Sequence, residues 1–224
     1  MSLAGCRSAL LCLISLACAA APAWADDTEE RSFSIFVDGK DAGKSTMKIT
    51  QKDDGTCYMA ANCNVKFRHL LVVDYKIDME TQEWWKNGQL IGLNTKCNDN
   101  GKRTEVTVFA DNMMLRLRVS GAQDRYIKND SWCNSFWKLA DAKFHNKTVP
   151  ILESDSGKEY SSELKYVDTQ QLKIGNQLQD CYHFRVQAAA GPVDLWYDRY
   201  HRIVRQEFTE SGHKTVVQLV HIKR

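Results

Sequence analysis

Cys57-Tyr58-Met59-Ala60-Ala61-Asn62-Cys63-Asn64-Val65-Lys66-Phe67 sets the frame for the rest of the chain. Its odd positions, Cys57, Met59, Ala61, Cys63, Val65 and Phe67, are apolar, while the even ones include Asn62, Asn64 and Lys66. Successive side chains of an extended strand point to opposite faces, so this period of two describes a strand with one face in an apolar interior. The same alternation recurs in Phe33, Ile35 and Val37, in Leu115, Leu117 and Val119 with Arg116 and Arg118 between them, and in Val193, Leu195 and Tyr197. Turn signals punctuate these runs at Asp38-Gly39, Asn87-Gly88, Asn98 to Gly101, Gly191-Pro192 and Ser211-Gly212. Their spacing is close to the roughly 8 to 12 residues typical of antiparallel sandwiches and barrels, which predicts about ten strands, mostly in meander order.

One segment breaks the pattern. Between Ser131 and Asp141 the apolar residues are Trp132, Cys133, Phe136, Trp137, Leu139 and Ala140, a helical spacing, with Asp130 or Ser131 as a suitable N-cap. A short amphipathic helix must bury its aromatic face, and the sheet is the place to bury it. The predicted fold is therefore mainly β: a curved antiparallel sheet or half-open barrel with one short amphipathic helix packed on it.

The aromatic residues nominate a binding surface. Trp84 and Trp85 are adjacent, so in a strand they project oppositely and at least one leaves the main core face. Trp196 lies between Asp194 and Asp198, opposite in phase to Val193, Leu195 and Tyr197, where it can act as a platform for an apolar or sugar ligand. Trp132, Phe136 and Trp137 on the expected helix, with Trp85 and Trp196, are the candidate ligand-binding residues. The competing reading is that both sheet faces are simply covered.

The N-terminus supplies an address. Met1 to Arg7 carries one positive charge, Ser8 to Ala21 is apolar, and Ala23-Trp24-Ala25 has the small-x-small pattern of a cleavage site, so residues 1–25 read as an export signal and residues 26–224 as a single β-rich domain. The apolar run is shorter than the roughly 20 residues that a spanning helix needs, which argues against a membrane anchor. The expected location is periplasmic or extracellular. Arg7 is the sole charged residue of the signal, leaving 29 basic against 28 acidic residues beyond it. Nucleic-acid binders need a basic surplus gathered on one face, so this balance argues against a phosphate backbone as partner.

Five cysteines lie beyond the signal: Cys57, Cys63, Cys97, Cys133 and Cys181. Export to an oxidising compartment predicts disulfides, and an odd number leaves at least one thiol unpaired between them. Cys57 and Cys63, about 20 Å apart in a straight strand, cannot bridge each other. No H-x-x-x-H or C-x-x-C occurs, so a metal is not expected. No nucleophile elbow, phosphate loop or dinucleotide loop occurs either, and no cofactor is expected. A site assembled from separate strands leaves no motif; Cys133, Cys181 and His183 are then the centre to consider.

Ser131-Trp132-Cys133-Asn134, Gly175, Cys181 to Val186, Asp194-Leu195-Trp196-Tyr197-Asp198, Arg202-Ile203-Val204 and Phe208 form a recurring arrangement. With Phe36-Val37-Asp38-Gly39 and Gly43 near the start, it resembles an exported bacterial family designated a domain of unknown function, DUF6134. The closing pattern is also similar to outer-membrane lipoprotein carriers, in which a half-open barrel holds an acyl chain or is plugged by a helix. These resemblances imply location and fold rather than reaction, and the first expectation is a non-enzymatic envelope protein with a lipid or other apolar small molecule as partner. The alternatives are a structural or interaction module without a cavity, and an enzyme.

Overall fold

The computed structural model describes residues 27–69 and 73–224, so the expected export signal lies outside the described residues. Strands β1 (Asp27–Val37), β2 (Lys40–Gln51), β3 (Thr56–His69), β4 (Val73–Lys86), β5 (Gln89–Asp99), β6 (Lys102–Asp111), β7 (Met114–Val119) and β8 (Arg125–Lys128) follow one another as antiparallel neighbours. Three short strands come next, β9 (Trp132–Cys133), β10 (Thr148–Leu152) and β11 (Glu159–Glu163), and form a sheet of their own. The chain then returns to the large sheet with β12 (Lys165–Ile174), β13 (Gln177–Ala188), β14 (Gly191–Tyr197), β15 (Ile203–Glu210) and β16 (His213–Lys223).

The large sheet has 13 strands, running from β12 through β16 to β1 and on to β8. The first strand therefore pairs with the last, Phe33 opposite Leu219 and Ile35 opposite Val217. The edges β8 and β12 do not pair, so the barrel stays open, and the chain joining them, residues 129–164, lies over the inner face as a plug. Arg125 on β8 donates to the Gly157 carbonyl of the plug, and the Ser162 hydroxyl accepts from the Gln187 N–H of β13 at 2.7 Å. A Cβ at Gly157 would come within 2.5 Å of Val119 Cγ2, and only glycine allows that approach at φ +70°.

The predicted alternation holds, and it stacks inward residues into rows. One row crosses the wall as Ile49, Met59, Glu83, Leu93, Val108 and Leu117, all buried. The next is Met47, Ala61, Thr81, Thr95, Val106 and Val119. Beyond these the wall is half-buried: Cys63, Met79, Cys97 and Thr104, then Val65 and Ile77.

Three expectations need correction. The described residues hold 16 strands rather than about ten, because the short strands and the late hairpins leave weak period-two signals. The expected Ser131–Asp141 helix is absent; this stretch contains β9, turns, and an isolated bridge from Lys138 to Arg202, and a 3₁₀ turn at Ala142–Phe144 follows it. Trp, Cys, Asn, Ser and Phe are weak helix formers, and stronger partners claim the carbonyls that a helix would need. Those of Ser135, Phe136, Trp137 and Lys138 accept, respectively, from Gln206 Nε2 at 3.3 Å, Tyr197 Oη at 3.1 Å, Arg31 Nη1 at 2.6 Å and Trp132 Nε1 at 3.0 Å. Finally, the five cysteines among the described residues are all free rather than disulfide-bonded. Cys63 and Cys97 share an inward row but sit two strands apart across β4, about 9.6 Å at the usual strand spacing and beyond the reach of a bridge.

Candidate functional site

The plug meets the wall at Glu83. Its phase on β4 is that of Ile77, Met79, Thr81 and Trp85, so the register that builds an apolar wall also turns this carboxyl inward among aliphatic neighbours. Glu83 is 0% exposed. One oxygen, Oε2, accepts from Trp85 Nε1 at 2.8 Å and from Trp137 Nε1 of the plug at 2.9 Å. The other, Oε1, has no hydrogen-bond partner, and neither does the buried Ser135 hydroxyl of the plug. The hydroxyl lies near enough to favour the carboxylate, but burial dominates and pushes the Glu83 carboxyl above its ordinary 4.5. A neutral carboxylic acid suits this place, because its O–H can serve the Ser135 oxygen while Oε2 keeps both indoles.

Trp137 is held from both ends. Its indole binds Glu83, its carbonyl takes the Arg31 hydrogen bond, and the Arg31 guanidinium lies 6.0 Å from the ring centre. Arg31 in turn pairs with Glu29 at 2.7 Å, which also holds Arg202 at 2.8 Å and Arg224 at 3.0 Å. Burial alone would raise the Glu29 carboxyl, but the three arginines outweigh it and keep it below its usual value. Trp132 and Phe136 pack edge to face at 4.7 Å, and Phe136 adopts φ +48°, an unfavoured backbone geometry held by its own N–H bond to the Cys133 carbonyl and by Tyr197.

Of the candidate ligand-binding residues, Trp132, Phe136, Trp137 and Trp85 thus converge at one junction, with Trp85 and Trp137 ring centres 6.4 Å apart. The first three are 4–7% exposed, so they fill the interior rather than line an empty one. Trp196 does not join them. It lies on the other face of β14, stacked at 4.4 Å on His183 and covered by Arg205, and is 6% exposed rather than presented to water. His183 is itself clamped between Asp168 at 3.2 Å and Asp194 at 2.6 Å.

Glu83, Ser135, Arg31 and Glu29 were not among the candidates. For Glu83 the signal was present: an acid in the apolar phase of a strand pattern.

The arrangement offers no activated nucleophile. Burial pushes the Cys133 thiol well up, with Glu83 adding to the effect, and takes Cys181 to about 11. Cys133 sits in the plug while Cys181 and His183 sit on β13, so the three do not form a centre. Among the described residues no group of three His, Cys, Asp or Glu side chains is arranged to hold a metal ion, and no helix is long and apolar enough to cross a membrane.

No curated protein matches the chain. In fold it is similar to the crystal structure of a beta-barrel-like protein of domain of unknown function DUF1849 from Brucella abortus, with a TM-score of 0.62 at 6% identity over 88% of this chain and 97% of that one. That likeness is one of fold alone. Residues 33–220, from the first strand to the last, match the Domain of unknown function (DUF6134), and the chain belongs to that family.

Proposed function

We propose that the protein is a non-catalytic envelope protein, exported through residues 1–25, that holds one apolar or amphipathic chain against the inner wall of its open barrel. The observation that carries this reading is the uneven cover of that wall. The plug buries the rows around Met59 and Leu93, whereas Cys63, Val65, Ile77 and Met79 on one side and Val193, Phe208 and Val217 on the other are only half-buried. Apolar side chains left partly open along an otherwise buried wall are characteristic of binding sites. Trp85, Trp132, Phe136 and Trp137 would form its floor.

The test is native mass spectrometry of protein purified from the exported fraction, with displacement of a fluorescent fatty acid as a second readout. A co-purifying lipid, lost in the double variant Ile77→Asp, Met79→Asp while the wild type retains it, is the expected result. A bare mass together with no probe binding by the wild type overturns the proposal. That outcome supports the second reading, an interaction module with a filled interior, which the near-complete burial of Trp132, Phe136 and Trp137 favours.

A further inference from the structure

The outward face of β3–β6 carries a second surface, independent of the barrel interior. Trp84 projects there, opposite to Trp85, and its ring centre lies 5.4 Å from that of Tyr58. It faces Gly92 on β5, where an added Cβ would meet Trp84 Cε3 at 3.2 Å and Cβ and Cδ2 at 3.6 Å. The absence of a side chain at Gly92 therefore lets the indole lie down on the strand backbone. Trp84 is only half-buried, so part of the indole stays open to solvent.

Two residues further along the same face, at Ala60 and Gln82, a groove begins and runs along β4. Its first part, about 200 Å³, is lined by Ala60, Asn62, Glu80, Gln82, Asn94 and Lys96. It passes into a second part of about 450 Å³ reaching Asn64, Asp78, Asn98, Arg103 and Glu105, with Met79, Cys97 and Thr104 between them. The carboxamides of Asn62, Gln82 and Asn94 make no hydrogen bond within the protein among the described residues, so their donors and acceptors are available. Three acids, Asp78, Glu80 and Glu105, stand against two bases, Lys96 and Arg103. That balance suits neither a phosphate backbone nor a strongly charged ligand. An indole face followed by a run of carboxamides matches one ligand chemistry well. A sugar ring offers a flat C–H face for stacking and a rim of hydroxyl or acetamido groups for planar amides.

We propose that the outward strip formed by Trp84 and Tyr58 and the adjacent groove as far as Asn98 binds a neutral polysaccharide chain running along β4. The role that the sequence pattern suggested for Trp196 falls instead to Trp84. The test is calorimetric titration of the full chain with two soluble probes, cellohexaose and chitohexaose, alongside tryptophan emission. Saturable binding of at least one probe is expected. Trp84→Ala should weaken it by about tenfold or more, and Asn94→Ala, which leaves the ring in place, by several-fold, with unchanged circular dichroism in both. Val193→Asp, Phe208→Asp on the inward face, neither of which lines the groove, should leave it unchanged, which separates this site from the interior. No saturable heat from either probe at millimolar concentration, or parental affinity in a folded Trp84→Ala protein, overturns the proposal.

Discussion

The two faces of β4 carry the same kinds of residue to opposite ends. Inward, Glu83 and Trp85 are locked into the plug: the acid is fully buried, its pKa is raised by that burial, and both indole N–H groups of the junction are spent on it. Outward, one residue away in either direction, Gln82 lines a groove and Trp84, packed on Tyr58, stays half-buried. A step of a single residue separates a side chain spent on the interior from one left partly open to solvent. Composition therefore says little about either role; strand phase says most of it.

The comparison is broken most directly at the plug. Trp137→Ala removes an indole, its bond to Glu83 and its stacking on Arg31, and should lower the unfolding free energy by about 3–5 kcal/mol in urea titrations. A loss under about 1 kcal/mol would mean that the plug does not hold the interior. The adjacent pair sharpens the point: Trp85→Ala should cost about 2 kcal/mol more than Trp84→Ala, although the two remove the same atoms. Equal losses would remove the distinction between the faces.

Glu83→Gln gives a smaller effect with a definite pH sign. Because the folded state holds the Glu83 proton more tightly than the unfolded chain, whose value is near 4.5, stability is full below that pH and is lost as pH rises through the folded value. A glutamine keeps an acceptor for both indoles and adds a donor for Ser135. The variant should match wild type near pH 4.5 and exceed it by about 1 kcal/mol at pH 8. A destabilised variant at pH 8 would instead place an ionised carboxylate at the junction. The smallest effect is a count: denatured protein lacking residues 1–25 and purified without reductant should titrate five thiols, and in the native state the half-buried Cys63 and Cys97 should react before Cys57, Cys133 and Cys181. Fewer than five would expose a bridge.

How much of this was legible follows the range of the forces involved. The wall was, because alternation such as Cys57 to Phe67 is local and each residue's phase is set by its neighbours. The opposed directions of Trp84 and Trp85 were legible for the same reason. The plug was not. Its aromatic spacing imitated a helix, and what overrides that spacing is four carbonyl partners drawn from Arg31, Trp132, Tyr197 and Gln206, three of them more than 60 residues away. Trp196 was misplaced similarly: its position opposite Leu195 was right, but His183 and Arg205 cover it, and no spacing announces a cover. Free cysteines contradict an argument from compartment alone, which geometry outranks.

The pairing of β1 with β16 has a kinetic meaning. A chain delivered from its N-terminus, by a ribosome or through a translocation pore, presents Phe33 and Ile35 long before Leu219 and Val217 exist to meet them. Until β16 arrives, one side of β1 is a bare template for any extended segment nearby, and contacts of such long sequence separation form slowly. The molecule is thus most exposed to misassembly just before completion, when a chaperone that shields the first hairpin has the most to protect.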